Sequence, residues 1–186
     1  MSDRRFLFLL ASARPQGNSE ALARAAASRL PAEVSQDWRD LRKANLPPFE
    51  DLRHAGGYGP VEGASGELAT AMLAATDIVF VAPLYWYGLP ALAKLCLDHW
   101  THWMRAPDCD FKVQMAAKTL WLVMAHSGSS AGQIAPGVDT LRLTADYLNM
   151  RWGVVLLGDA NAPGDIAQDE TALEAAKTFF AGGVNG

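Results

Sequence analysis

The chain has 186 residues, of which 50% are hydrophobic and 19% are charged. This length and composition predict one soluble globular domain over residues 1–186. The net charge of −4, without a basic run, argues against nucleic acid and anionic membranes as partners, and no apolar run is long enough to span a bilayer.

The cysteines also limit the possible functions. Cys96 and Cys109 form no C-x-x-C pair and are too few for a disulfide framework or an iron–sulfur cluster. Two cysteines in a chain of this size fit a reducing compartment, so we expect a cytoplasmic protein.

The first predicted unit is a strand, a loop and a helix. Phe6–Ala11 is an apolar run of strand length, and Leu22, Ala26 and Leu30 have helical spacing. Arg4 and Arg5 before the run imitate a signal peptide, but cleavage near Ala13 would remove the strand, so a buried first strand is preferred.

The loop between this strand and helix, SARPQGNS, carries polar groups suited to an anion. Those groups are Ser12, Arg14, Gly17, Asn18 and Ser19. They precede a helix N-terminus, where unpaired backbone N–H groups attract negative charge. The loop therefore predicts a site for a compact phosphate monoester. The alternative is a capping loop in which Asn18 or Ser19 is the N-cap of the helix and Arg14 lies in solvent.

Two common nucleotide-binding signatures are missing from this loop. Without G-x-x-x-x-G-K-[ST] it does not resemble a P-loop, and without G-x-G-x-x-G it does not resemble a dinucleotide clamp. Hydroxyls and amides in place of glycines favour a phosphate held by side chains as well as by backbone.

The next segment, Val34–Leu41, mixes apolar and polar residues and is predicted as an edge strand. The connection over residues 42–66 contains three prolines and five glycines. A connection of this length is expected to be functional or mobile, with a surface excursion as the alternative. Leu68, Ala71 and Ala75 then predict a helix.

A third strand, Ile78–Ala82, leads into the loop PLYWYGLP over residues 83–90. Three consecutive aromatic residues between prolines would be explained by a flat aromatic ligand, and packing in the core or at a subunit interface is the alternative. Pro90 is suited to open a helix over Ala91–Trp103.

Metal-capable atoms occur on and after this helix, at Cys96, His99, His102 and Cys109. Their spacing matches no common zinc pattern, and His102 is rotated away from Cys96 and His99 on a helix. We therefore predict no metal site.

The last part of the chain repeats the strand–helix alternation. A fourth strand, Leu120–Ala125, precedes the small-residue loop HSGSS, which is either a close approach to a ligand or an ordinary turn. A helix is then predicted from the spacing of apolar residues over Val138–Leu148. A fifth strand follows at Val154–Leu157, and a last helix at Ala172–Phe180. Alternating strands and helices predict a doubly wound α/β domain.

The three notable loops all follow strands. Open parallel sheets bind ligands beyond the carboxyl ends of their strands, at the point where the strand order reverses. Together the loops therefore predict a site with a phosphate at one end and a planar ring at the other.

Two blocks of the sequence resemble the NADPH-dependent FMN reductase-like flavoproteins. Residues 12–22 are similar to the S-x-R-x-x-G-N-[ST]-x-x-L loop, and residues 83–98 to the P-x-Y-W-x-G-x-P-x-x-x-K-x-x-x-D block. Residues 40–49 and 158–166 also resemble family segments. Lys94 and Asp98 form an i, i+4 pair that we expect to be structural.

This resemblance implies a flavodoxin-like three-layer sandwich, with five parallel strands in the order 2-1-3-4-5 and FMN at the β1/β3 switch point. It implies a phosphate site, a ring-binding loop and a loop at the pyrimidine edge. The residues implied are Ser12, Arg14, Gly17, Asn18 and Ser19 for the phosphate, Pro83, Leu84, Tyr85, Trp86, Tyr87 and Gly88 for the ring, and His126, Ser127 and Gly128 for the edge. NADPH or NADH would be the electron donor, and the protein would be a homodimer or a tetramer.

His126 departs from the family pattern, because many relatives have threonine or another small polar residue there. Histidine changes charge near neutral pH, so His126 is a candidate proton donor, with a simple hydrogen-bonding role as the alternative. The chain also lacks the cysteine cluster of the relatives that carry an iron–sulfur centre.

The function implied is an FMN-dependent NAD(P)H oxidoreductase. A hydride would pass from nicotinamide to flavin and on to a quinone, azo, nitro or flavin acceptor. The alternatives are a flavodoxin-type electron carrier without its own substrate turnover, and a scaffolding protein of the same fold that lacks flavin. The weak net charge and the loop built on Ser12 and Arg14 argue against the carrier.

Overall fold

A five-stranded parallel sheet forms the centre of the molecule. The structure is a computed structural model that describes residues 4–107 and 109–181. The strands are β1 (Arg5–Leu10), β2 (Ser35–Asp40), β3 (Asp77–Val81), β4 (Thr119–His126) and β5 (Arg151–Asp159). They lie in the order β2-β1-β3-β4-β5, and every pair is parallel. The expected 2-1-3-4-5 order is confirmed.

Helices cover both faces of the sheet. They are α1 (Asn18–Ala27), α2 (Gly63–Ala74), α3 (Ala91–Trp103), α4 (Phe111–Met115), α5 (Ala131–Tyr147) and α6 (Glu170–Ala176). Helices α1 and α6 pack into one hydrophobic cluster, and α2 to α5 pack into the other. This arrangement is the expected three-layer sandwich.

The continuous apolar runs follow from burial on both faces. In β1, Phe6 and Phe8 pack toward α1 and α6, whereas Leu7 and Leu9 pack into the opposite cluster. Successive side chains of a strand point to opposite faces, so a strand covered on both sides must be apolar at every position. The preferred interpretation of residues 6–11 as a buried strand is confirmed.

The predicted elements differ from the observed ones mainly at their ends. Strand β5 begins at Arg151, three residues earlier than predicted, and the last helix ends at Ala176 and is followed by turns. Helix α4 and a 3₁₀ turn over Asp165–Gln168 were not predicted. By contrast, α3 has the predicted bounds, and Lys94 and Asp98 form the expected ion pair on it.

The long connection after β2 lies against α3. His99 donates from Nε2 to the Pro47 carbonyl oxygen at 2.9 Å, and His102 donates from Nε2 to the Gly59 carbonyl oxygen at 3.0 Å. Tyr58 stacks on His102 with 4.9 Å between ring centroids. Residues 42–62 therefore form a surface segment that is held against α3. The last four residues of the predicted connection, 63–66, belong to α2.

The two histidines of the metal-capable set thus hold this connection. Within residues 4–107 and 109–181, no group of three His, Cys, Asp or Glu side chains could hold a metal ion. No helix in this part of the chain is long and apolar enough to cross a membrane.

Candidate functional site

A cavity of about 290 Å³ opens at the carboxyl edge of the sheet, where the loops after β1, β3, β4 and β5 meet. It is lined by Ser12, Arg14, Gly17, Asn18, Ser19, Pro83, Leu84, Tyr85, Ala125, His126, Ser127, Ala160 and Asn161. Ten of the fourteen sequence-predicted site residues are in this lining. The other four, Trp86, Tyr87, Gly88 and Gly128, are outside it.

The amino end of α1 forms one end of the cavity. The helix begins after Gly17, whose backbone is extended, and no side chain in the described part of the chain caps it. The alternative in which Asn18 or Ser19 acts as the cap is therefore wrong. The first-turn N–H groups remain available to an anion at the positive end of the helix dipole.

Arg14 and Ser12 lie beside this helix end. The Arg14 Nη2 donates to the Asn161 carbonyl oxygen at 3.3 Å, so the guanidinium bridges the loops after β1 and β5. The Ser12 hydroxyl accepts the Arg14 backbone N–H at 3.3 Å. Among the described residues that line the cavity, Arg14 is the one permanent cation, and none is a carboxylate. This donor set fits a phosphate group.

Asn18 and Ser19 are buried, and their side chains already have partners within the chain. Asn18 donates from Nδ2 to the Ala162 carbonyl oxygen at 2.9 Å and accepts the Gly164 N–H at 3.0 Å. The Ser19 hydroxyl accepts the Ala125 N–H at 3.0 Å. These side chains join the start of α1 to the end of β4 and to the loop after β5, a role that the sequence did not suggest.

The aromatic loop forms a tight two-residue turn at the other side of the cavity. Tyr85 and Gly88 exchange two backbone hydrogen bonds, at 3.0 and 3.1 Å. Between them, Trp86 and Tyr87 have positive φ angles of 49° and 63°. Two positive φ angles define the type I′ turn, which favours Asn-Gly and is unusual for bulky side chains.

This turn displays aromatic surface. The Trp86 residue is 94% exposed and Tyr87 is 51% exposed, whereas Tyr85 turns toward the cavity lining. The core alternative is wrong for all three rings, because Tyr85 is itself 39% exposed, and the subunit-interface alternative stays a prediction. The turn thus combines a strained backbone with exposed aromatic side chains.

The loop after β4 provides the third wall. His126 ends the strand, and its side chain is 12% exposed. The Asp159 Oδ1 lies 3.9 Å from His126 Nδ1 and accepts the Gly128 N–H at 2.8 Å. Gly128 has a positive φ of 56°, which suits glycine.

The sequence analysis assigns no site residue to the last residue of β5 and the loop after it, Asp159 to Asn161, although residues 158–166 resemble a family segment. A usable signal was present, because these residues follow the predicted fifth strand directly. The same rule that selected the other loops, at the carboxyl ends of parallel strands, would have selected this one.

Comparisons with known proteins agree with this architecture. The family model described as flavodoxin-like fold matches residues 4–180. The Bacillus subtilis protein YwqN, named as an NAD(P)H-dependent FMN-containing oxidoreductase, is 32% identical over 169 residues, which cover 90% of this chain and 91% of YwqN.

Two solved structures share the fold at lower identity. The Trp repressor binding protein from Bacillus subtilis has a TM-score of 0.73 at 22% identity, with 94% of this chain and 96% of that chain covered. An NAD(P)H:quinone oxidoreductase from Methanothermobacter marburgensis has a TM-score of 0.73 at 17% identity, with 97% and 98% covered. From its sheet order, its family match and its identity to YwqN, this chain belongs to the flavodoxin-like fold family.

Proposed function

We propose that this chain is an FMN-dependent NAD(P)H oxidoreductase. It takes reducing equivalents from NADPH or NADH and passes them to a small-molecule acceptor of the quinone, azo, nitro or flavin type. The observation that carries the proposal is the pairing of an anion site with an exposed aromatic turn across the β1/β3 switch point. The relative named as an FMN-containing oxidoreductase supports it.

The phosphate of FMN would lie against the amino end of α1. The backbone N–H groups of Asn18 and Ser19, the Ser12 hydroxyl and the Arg14 guanidinium would hold it. Gly17 lets the chain enter the helix in an extended conformation without covering these groups. Charge-assisted hydrogen bonds of this kind contribute about 1.5–3 kcal/mol each.

The flavin ring would extend from the cavity toward the turn that follows β3. Pro83, Leu84 and Tyr85 line the cavity there, and the turn ending at Gly88 places Trp86 and Tyr87 at its rim. The loop at Ser127 would face the pyrimidine edge of the ring. Because Gly128 already donates its N–H to Asp159, we assign that residue to shaping the loop.

The protein's part in the reaction is to bind the flavin and to orient it toward the nicotinamide and the acceptor. The flavin, when bound, supplies the hydride chemistry between nicotinamide and acceptor. The open rim formed by Trp86 and Tyr87 would leave one face of the ring accessible to both substrates in turn. An aromatic rim is suited to planar acceptors, since flat rings stack on exposed aromatic side chains.

We also propose that the chain works as a homodimer in the cytoplasm. The exposed rings of Trp86 and Tyr87 offer apolar surface beside the cavity, where a second copy could complete the walls of the site. Both cysteines are free thiols, which suits a reducing compartment.

The test is anaerobic reduction of the reconstituted protein. Purified protein is loaded with FMN, freed of excess cofactor and mixed with NADPH or NADH in the absence of any partner protein. We expect rapid loss of the visible flavin absorbance, followed by its return when a quinone or an azo compound is added. A protein that binds no FMN would overturn the proposal, and one that binds FMN without reduction by either nicotinamide would support the electron-carrier alternative.

A further inference from the structure

We propose that His126 takes up a proton when the bound flavin is reduced, and that Asp159 stabilises the resulting imidazolium. This inference rests on the proposed function and assigns a chemical role to a residue that departs from the family pattern. A hydride delivered to a bound flavin would bring two electrons and one proton, and so one net negative charge, into the site. A proton taken from solvent by His126 restores the charge balance of the site.

The surroundings of His126 leave one ring nitrogen free to meet a ligand. His126 lines the cavity, and its Nδ1 accepts the Ser129 N–H at 3.4 Å. A neutral imidazole that accepts at Nδ1 carries its proton on Nε2. In the described part of the chain the Nε2 of His126 has no hydrogen-bond partner. The one side-chain nitrogen or oxygen there that is both buried and without a partner is Trp100 Nε1. The Nε2 of His126 is therefore not buried, and solvent reaches it.

A second arrangement is available to the protonated ring. Asp159 Oδ1 lies 3.9 Å from Nδ1, so a proton on Nδ1 would exchange the backbone contact with Ser129 for a carboxylate. The carboxylate is already positioned, because it accepts the Gly128 N–H at 2.8 Å. The loop thus offers His126 one partner when it is neutral and another when it is charged.

The other two charged groups considered around His126, Asp169 and Arg14, act on a positive charge there in opposite directions. Asp169, the residue before α6, is held ionised mainly by the N–H groups of Ala172 and Asp159, and the charge of His126 also contributes to its lowered pKa. Arg14 lines the same cavity and opposes a second positive charge while no anion is bound. Negative charge on the ligand would therefore tip the balance toward the imidazolium.

A pH series of midpoint potentials tests this assignment. The wild type is compared with His126→Gln, which keeps a hydrogen-bonding side chain but cannot change charge, from pH 5 to 8. The affinity of each protein for oxidised FMN is measured first, so that both potentials are recorded on fully loaded protein. The difference between the two potentials should change by up to about 30 mV per pH unit, since one extra proton shifts a two-electron equilibrium tenfold per unit.

Asp159→Asn provides a second variant that keeps an oxygen for the Gly128 N–H. Because it removes the negative partner of the imidazolium, it should move the pH range of the extra proton uptake to lower pH. NMR of the His126 ring in wild-type protein provides a measurement without substitution. At a single neutral pH, we expect the ring nitrogens to give the signals of a protonated imidazole with reduced FMN and of a neutral imidazole with oxidised FMN.

Parallel potential curves for wild type and His126→Gln would overturn the inference while leaving the proposed function intact. Ring-nitrogen signals of a neutral imidazole at His126 in both redox states would do the same. Failure of wild-type protein to bind FMN would instead overturn the proposed function, and the two failures are therefore distinguishable.

Discussion

Arg14 illustrates how one side chain can decide which ligand a cavity accepts. It is the permanent cation among the described lining residues, and its guanidinium lies between the loops that follow β1 and β5. Its contact with Asn161 uses a backbone carbonyl, so the charge itself is not neutralised by a carboxylate in the lining. Most of that charge is available to a phosphate.

We therefore expect Arg14→Gln to weaken FMN binding about 10- to 100-fold, since a charge-assisted hydrogen bond contributes about 1.5–3 kcal/mol. Riboflavin, which lacks the phosphate, should bind both proteins similarly. Fluorescence titration with each flavin provides the measurement. Arg29→Gln is the matched control, because it removes the same charge from an exposed position outside the lining.

Equal weakening by the two arginine substitutions would indicate a general charge effect and would contradict the phosphate role. A loss of riboflavin affinity equal to the loss of FMN affinity would contradict it as well, since Arg14 would then be acting on the ring or on the loop.

The roles of Asn18 and Ser19 show what local sequence does not reveal. The sequence places both residues in the site because their polar side chains lie in the loop between a predicted strand and a predicted helix, and because that loop resembles a family motif. Their side-chain partners lie 144 and 106 residues away in the chain, at Ala162 and Ala125. Spacing within a loop identifies a helix start, but it does not show which distant backbone group will be brought against it.

At the scale of elements, the turn after β3 combines strain with exposure. Type I′ turns place both central residues at positive φ, which costs bulky L-residues about 1–3 kcal/mol each. We expect the double substitution Trp86→Asn with Tyr87→Gly to raise the free energy of unfolding of the apoprotein by about 1–2 kcal/mol. Urea denaturation measures the gain.

The same double variant should reduce flavin at a lower rate and turn over planar acceptors poorly, because the aromatic rim is removed. Trp86→Phe is the control for the turn, since it retains an aromatic ring and the same conformational cost. No gain in stability in the double variant would show that the positive φ angles carry little strain.

The bounds of helices and strands were predicted well where a regular spacing of apolar residues begins or ends at a residue such as proline. Helix α3 has its predicted bounds because Pro90 precedes a long run with helical spacing. Strand β5 was predicted too short because Arg151 and Gly153 interrupt the apolar pattern. The pairing of β5 with β4 extends it, and Gly153 is needed there because a Cβ would lie 2.4 Å from the Trp121 ring.

For the whole molecule, the runs of apolar residues predict parallel strands but not their order. Runs buried on both faces indicate a covered sheet, and alternation with helices indicates parallel connections. The order 2-1-3-4-5 came from the resemblance of two loops to a family, and the observed sheet confirms it. The strand order then locates the site, because ligands of open parallel sheets bind beyond the carboxyl ends of the strands at the point where the order reverses, here between β1 and β3.

The stability of the whole domain should also depend on a thiol in its core. Burial raises the pKa of Cys96 from 9.0 to about 12. A raised pKa in the folded state means that the contribution of the neutral thiol is complete below pH 9 and is lost as the pH rises toward 12. We expect the free energy of unfolding to fall by up to ~1.4 kcal/mol per pH unit in this range on account of Cys96.

Urea unfolding of wild type and Cys96→Ala, at pH values from 8 to 11, measures this contribution. The variant should be less stable at pH 8, because it leaves space in the core, and should lose less stability as the pH rises. Cys109→Ala is the control, since Cys109 is only partly buried. Curves for wild type and Cys96→Ala that remain parallel would rule out the effect.

The contacts between α3 and the connection after β2 have a consequence for how this protein can change over evolutionary time. His99 and His102 bind backbone carbonyls of Pro47 and Gly59, and a carbonyl oxygen is present whatever side chain a residue carries. Residues 50–55, between the anchored ends, can therefore diverge in sequence without releasing the segment, whereas Gly56 and Gly57 are constrained by their positive φ angles of 99° and 83°. New side chains can therefore appear on this part of the surface while the hydrogen bonds to α3 keep the segment in place.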